Sequence, residues 1–127
     1  MNNSEDLYLS ADDLYRLGNA TSARLDHVRV PKDMPTIDRN GIVYVLPGAF
    51  GVSVFTENGI KRQYGDGWVW CIKKGTAFSP RLRLVNDRGD HYLISPAFEM
   101  PLDEFRGLLS KLAATAERIA KLSALRI

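Results

Sequence analysis

The stretch Gly89–Met100 constrains this chain more than any other, because it hands a strand over to a helix within a few residues. Its residues, Gly-Asp-His-Tyr-Leu-Ile-Ser-Pro-Ala-Phe-Glu-Met, read as a strand. His91, Leu93 and Ser95 share one face and Tyr92 and Ile94 the other, since side chains alternate along a strand. Pro96 ends the ladder because it has no N–H to give. Pro101 stands where a helix would begin, with Asp103 and Glu104 in the first turn, where carboxylates suit the positive helix end. His91, one of only two histidines in the chain, is thereby set beside a rigid junction.

The pattern downstream predicts the helix itself. Phe105, Leu108, Leu109, Leu112, Ala116, Ile119 and Ser123 recur at spacings of three and four, which points to a helix over Leu102–Leu125. Such a helix would be roughly 35 Å long and would cover one face of a sheet. Upstream, Ile42–Leu46 is a continuous apolar run rich in β-branched residues, read as a strand buried on both faces. Gly51–Phe55, Trp68–Ile72 and Arg81–Val85 follow as strands between glycine-bearing turns. Ile60–Tyr64 fits a short strand or a single helical turn. Asp6–Asn19 is equally divided: Ser10 and Gly18 suit helix boundaries, whereas Leu14–Leu17 suits a short buried strand. Met1–Glu5 is expected to fray. The class is α+β: short, mostly antiparallel strands with a long C-terminal helix packed on them.

A chain of 127 residues is expected to form one domain, 1–127, with room for a real core. A net charge of +2 makes no electrostatic case for nucleic acid or an anionic membrane. The single cysteine, Cys71, allows no internal disulfide and fits a reducing cytoplasm. The polar N-terminus has no signal-peptide pattern, and no apolar run approaches the ~20 residues that span a bilayer. Phosphate-loop and dinucleotide glycine patterns are missing, which excludes the nucleotide folds that depend on them.

Several side chains are candidates for chemistry, each with a plainer reading beside it. Ser53 interrupts an apolar strand; it either bonds a neighbouring backbone or faces a ligand. Gly48 and Gly51 flank Phe50 and would let another backbone or a planar ring come close. His91 is either a site residue or a satisfied strand-end histidine, and no nearby histidine or cysteine gives it a metal-ligand set. His27 lies in a charged, extended segment and reads as solvated. Arg16, if Leu14–Leu17 is a strand, must find an anion, either a protein carboxylate or a ligand phosphate. Trp68, Trp70, Tyr64 and Phe78, interleaved with Lys61, Arg62, Lys73, Lys74, Arg81 and Arg83, would form either a stacking platform for single-stranded nucleic acid or ordinary core with basic ends.

Taken together, these residues resemble a family of small bacterial ADP-ribosyltransferase-fold toxins typified by a type VI secretion effector. The matching pattern is Leu14-Tyr15-Arg16, then Gly41…Tyr44, Gly51-x-Ser53-Val54-Phe55, Gly65-Asp66, Gly75-Thr76 before Pro80, and His91-Tyr92-x-Ile94-x-Pro96-Ala97-x-x-Met100. The resemblance covers about Leu14–Ala120. It implies an ADP-ribosyltransferase-like fold with an NAD-binding cleft between small antiparallel sheets. It also implies loss of nicotinamide through an oxocarbenium-like transition state, and it selects the strand reading of Leu14–Leu17. Arg16 would then hold the pyrophosphate as a fork. Ser53 would orient ribose and nicotinamide, with Phe55 and Tyr92 completing the NAD contacts and His91 serving as a catalytic-site residue. Such folds normally add a carboxylate that stabilises the developing cation. The family pattern fixes no glutamate at Glu99, so either Glu99 supplies that charge here or the family does without it. The resemblance further implies a growth-arresting toxin, cytoplasmic or delivered into a target cell. Such a toxin would be held in check by a cognate immunity protein or antitoxin, and its acceptor would be a protein or a nucleic acid. Two other readings stay open: a non-catalytic protein-interaction domain on the same fold, and an RNA-directed toxin or RNA-binding module.

Overall fold

A computed structural model describes residues 8–9, 12–30 and 32–126; Met1–Glu5 and the Ser10 cap lie outside them. In chain order the elements are β1 Tyr8–Leu9, β2 Leu14–Gly18, β3 Thr36–Arg39, β4 Ile42–Val45, β5 Val52–Phe55, α1 Glu57–Lys61, β6 Trp68–Ile72 and β7 Ala77–Phe78. They continue with β8 Leu82–Arg88, β9 His91–Pro96, β10 Met100–Pro101, α2 Leu102–Ala113, β11 Glu117–Lys121 and α3 Leu122–Leu125. The main sheet has six strands in the order β11-β6-β2-β5-β9-β8, and a smaller sheet has three, β10-β4-β3. Every described pairing is antiparallel. The architecture is α+β.

Two apolar layers sandwich the main sheet. On one face Leu14, Val52, Val54, Ile72, Leu82 and Ile94 meet Phe105, Leu109 and Leu112 of α2 in the principal core. On the other, Ile60, Val69 and Leu122 form a second layer with Tyr15, Leu17 and Phe55 against it. Strand alternation produces both: Val52 and Val54 point to the first layer, so Ser53 and Phe55 point away from it. Gly51 makes the β5–β9 approach possible. Its φ is +149°, and a Cβ there would lie 2.0 Å from the Ile94 carbonyl oxygen. The close approach expected of this glycine is therefore to another backbone.

Leu14–Gly18 is a strand, as the resemblance required, and Ile60 belongs to a helical turn. That turn, α1, is capped by Thr56, whose hydroxyl accepts from the Gly59 N–H. The same hydroxyl donates to Asp90 at 2.8 Å, fastening α1 to the β8–β9 turn.

Two expectations are corrected. The C-terminal helix is not continuous over Leu102–Leu125: α2 stops at Ala113, with Ala114 as its cap and the Thr115 hydroxyl donating to the Leu112 carbonyl. The chain then turns back as β11 and pairs with β6, giving that strand's open backbone groups partners. The helical stripe was misleading because Ile119 sits where the register shifts between Arg118 and Ala120, and it is 44% exposed. Phe105, Leu109 and Leu112 are buried as the stripe predicts. The second correction is Ile42–Val45, which is not buried on both faces. It belongs to the small sheet, where Ile42 is 51% exposed, and only Val45 reaches the core.

Candidate active site

β2 and β5 lie side by side in the main sheet yet share, among the described residues, a single pair, Tyr15 with Phe55. Beyond it the strands part, and the Arg16 side chain spans the opening. Its guanidinium donates to three carbonyl oxygens: Nη1 to Ser53 at 2.7 Å, Nη2 to Arg24 at 2.9 Å and Nε to Ala23 at 3.1 Å. These partners are backbone carbonyls, neither the protein carboxylate nor the ligand anion that the sequence left open. Burial pulls the Arg16 pKa down to about 10, so the group still carries its charge at neutral pH. Arg16 therefore straps the segment after β2 onto β5.

That strap shapes a depression of about 330 Å³ lined by Arg16, Arg24, His27, Arg29, Asp33, Gly51, Val52 and Ser53. Arg29 is committed to Asp33 through two side-chain bonds. Burial pushes the Asp33 carboxyl up, but the Arg29 bonds outweigh it and hold the group below its usual value. Among the described residues the Arg24 guanidinium bonds the exposed His27 ring at 3.0 Å, and Arg24 holds a left-handed backbone, φ +57°. A non-glycine residue in that region is strained, and here the Arg16 bonds to the Ala23 and Arg24 carbonyls keep it there. Three guanidiniums against one carboxylate leave the depression positive, which suits a phosphate-bearing ligand.

Ser53 and His91 occupy adjacent strands on the face turned from the principal core. β5 and β9 pair Ser53 with Leu93 and Phe55 with His91. From there His91 Nε2 comes within 2.8 Å of Ser53 Oγ. The other ring nitrogen, Nδ1, lies 2.5 Å from Asp87 Oδ1. The Phe55 ring is tilted against the imidazole with centroids 5.1 Å apart. His91 and Phe55 line a second depression of about 330 Å³ with Arg62, Gln63, Arg88 and Asp90. Ser53 borders the first depression and His91 the second, so their hydrogen bond joins the two. An aromatic wall, a hydroxyl–imidazole pair and a basic pocket in one row can accept an extended ligand with a planar end and an anionic middle.

Residues 12–120 match the family model described as Tse2 ADP-ribosyltransferase toxin. The chain belongs to that family. Among curated proteins, none matches it. The α+β arrangement of antiparallel sheets about a split is thus an ADP-ribosyltransferase-like fold, and the chain is a member of an ADP-ribosyltransferase toxin family.

Within this fold the structure brings together Arg16, Ser53, Phe55 and His91, and it separates two other residues from them. Tyr92 points to the opposite face of β9 and packs on the principal core. Glu99 precedes β10, at the small sheet, where both its oxygens accept from Arg39 at 2.9 Å. The aromatic platform does not assemble either. Phe78 is buried, Tyr64 stands out in solvent, Trp70 donates to the Asn19 carbonyl, and Trp68 is covered by Arg118 and Lys121. Sequence reading missed Arg24 and Asp87. A regular Gly89–Asp90 turn sets Arg88, not Asp87, opposite His91, and only the bulge brings Asp87 onto the ring. Arg24 gave no signal, because only the Arg16 strap places it. Among the described residues no helix is long and apolar enough to cross a membrane.

Proposed function

We propose that this toxin-family member uses NAD, and that the two joined depressions are where NAD lies. The observation that carries the reading is the Ser53 Oγ–His91 Nε2 hydrogen bond at 2.8 Å, set at the split between β2 and β5 beside a net-positive pocket. Bound NAD would supply an ADP-ribosyl group, with nicotinamide as its leaving group. Arg24, backed by Arg29, holds the pyrophosphate, and Arg16 keeps the Arg24 segment in place. Ser53 and His91 orient the nicotinamide–ribose end, and Phe55 gives it a flat apolar wall. Glu99 keeps its ion pair with Arg39 and Tyr92 its place in the core; neither has a task here. In a cell the reaction arrests growth, and a cognate immunity protein or antitoxin restrains it. The acceptor is a protein or a nucleic acid, and the chain acts as one domain over 1–127.

The test is nicotinamide release from NAD by purified protein, with and without cell extract, alongside growth of a bacterial host expressing it. Release and arrest should both be present in the wild type, and both should be lost in Ser53→Ala and His91→Ala proteins that still fold. Full arrest with no nicotinamide release would reject NAD chemistry. Salt-dependent binding to single-stranded RNA would then favour an RNA-directed toxin.

A further inference from the structure

We propose that Asp87 is a positioning residue: it fixes the tautomer of His91 and so makes Ser53 a hydrogen-bond acceptor toward the ligand. The identity of that ligand as NAD rests on the function proposed above, whereas the tautomer does not. The geometry begins in the β8–β9 hairpin. Asn86 pairs with Tyr92 and Arg88 with His91, so Asp87 is the extra residue of a bulge. A bulge sets two residues of one strand against one of the other and re-aims a side chain. Here it turns the Asp87 carboxylate onto His91 Nδ1 at 2.5 Å, with the two side chains only 19% and 15% exposed. Asn86 braces the turn by donating to the Gly89 and His91 carbonyls.

The proton inventory then runs in one direction. A carboxylate only accepts, so Nδ1 carries the ring proton. In the neutral imidazole Nε2 is left with a lone pair, and the Ser53 hydroxyl must spend its proton on it. What Ser53 offers the cleft is oxygen lone pairs, and the ligand group it meets must be a donor. A ribose hydroxyl and the N–H of a primary carboxamide both qualify; a carboxylate does not. Without Asp87 the ring is free to carry its proton on Nε2 and donate to Ser53, whose hydroxyl would then turn outward as a donor. Asp87 thus decides which hydrogen-bonding class of ligand fits, without touching the ligand.

The experiment reads the ring nitrogens of the full chain by 15N NMR, above the pH range in which free imidazole is protonated. Signals lost in His91→Gln are those of His91. The wild type should show a protonated Nδ1 and a bare Nε2, and Asp87→Glu should keep that pattern. Asp87→Asn, whose amide can donate to Nδ1, should reverse it with an unchanged melting temperature. The same variant should slow nicotinamide release by roughly 10–100-fold, as loss of an orienting partner does elsewhere. A proton on Nε2 in the wild type overturns the proposal. So does an Asp87→Asn protein that keeps the wild-type release rate. If the wild type releases no nicotinamide, the NAD reading fails, and the wild-type and Asp87→Glu ring patterns still decide the role of Asp87.

Discussion

Replacing Arg16 by alanine should unfold the cleft before it changes any chemistry. The wild-type guanidinium makes three bonds to part-buried carbonyls, at 2.7, 2.9 and 3.1 Å. Hydrogen bonds to a charged group contribute about 1.5–3 kcal/mol each, so the three together are worth about 5–9 kcal/mol. Against this stands the desolvation of the guanidinium. The lowering of its pKa from 12.5 to about 10 converts, at about 1.4 kcal/mol per tenfold, to roughly 3 kcal/mol. The remainder, about 2–6 kcal/mol, is the expected loss of stability in Arg16→Ala. Arg16→Lys should recover less than half of it, because one ammonium on a flexible stem cannot serve three diverging carbonyls. Urea denaturation followed by tryptophan fluorescence would measure both, with the slope checked for two-state behaviour. A loss below about 0.5 kcal/mol, the level of an ordinary surface substitution, would refute the strap. The same reasoning makes Arg16→Ala a poor probe of ligand contacts, since lost activity there would report a lost cleft. Arg24→Ala leaves the carbonyls that Arg16 holds, and should weaken NAD binding in calorimetry while the protein stays folded.

Four further substitutions probe the packing and the Arg39–Glu99 ion pair. Leu109→Ala, at a fully buried position of α2, should cost about 2–5 kcal/mol in urea denaturation, whereas Ile119→Ala, on the exposed bulge of β11, should change stability by less than about 0.5 kcal/mol. Gly51→Ala should destabilise by at least about 2 kcal/mol, from the left-handed backbone and the clash with Ile94; a melting temperature equal to wild type would contradict the β5–β9 approach. Glu99→Gln should release nicotinamide at the wild-type rate, because its carboxylate is held by Arg39 at the small sheet; a selective loss of turnover would bring Glu99 back to the chemistry.

Part of the site was legible because strand alternation needs no tertiary information. Ser53 opposite Val52 and Val54, and His91 opposite Tyr92 and Ile94, could be assigned to faces from the sequence alone, and the order of the motifs supplied the family. Alternation also placed Tyr92 away from His91, although the resemblance had grouped them. Ile119 shows the limit of periodicity. A spacing of three and four is the same string of letters whether the chain stays helical or turns back, and the open edge of β6 decided for the strand.

The sequence by itself determined the α+β class, the glycine- and proline-marked turns, the Pro96–Pro101 junction and the faces of β5 and β9. Each depends on neighbours a few residues apart, where backbone sterics and side-chain period act. The tertiary structure alone decided what Arg16 holds, where Arg24 and Asp87 point, and that Glu99 is spent on Arg39. These depend on which distant groups meet: Arg39 and Glu99 are 60 residues apart, and Arg16 and Ser53 are 37. A buried cation must find acceptors, but three carbonyls serve as well as one carboxylate, and only the fold brings either within reach.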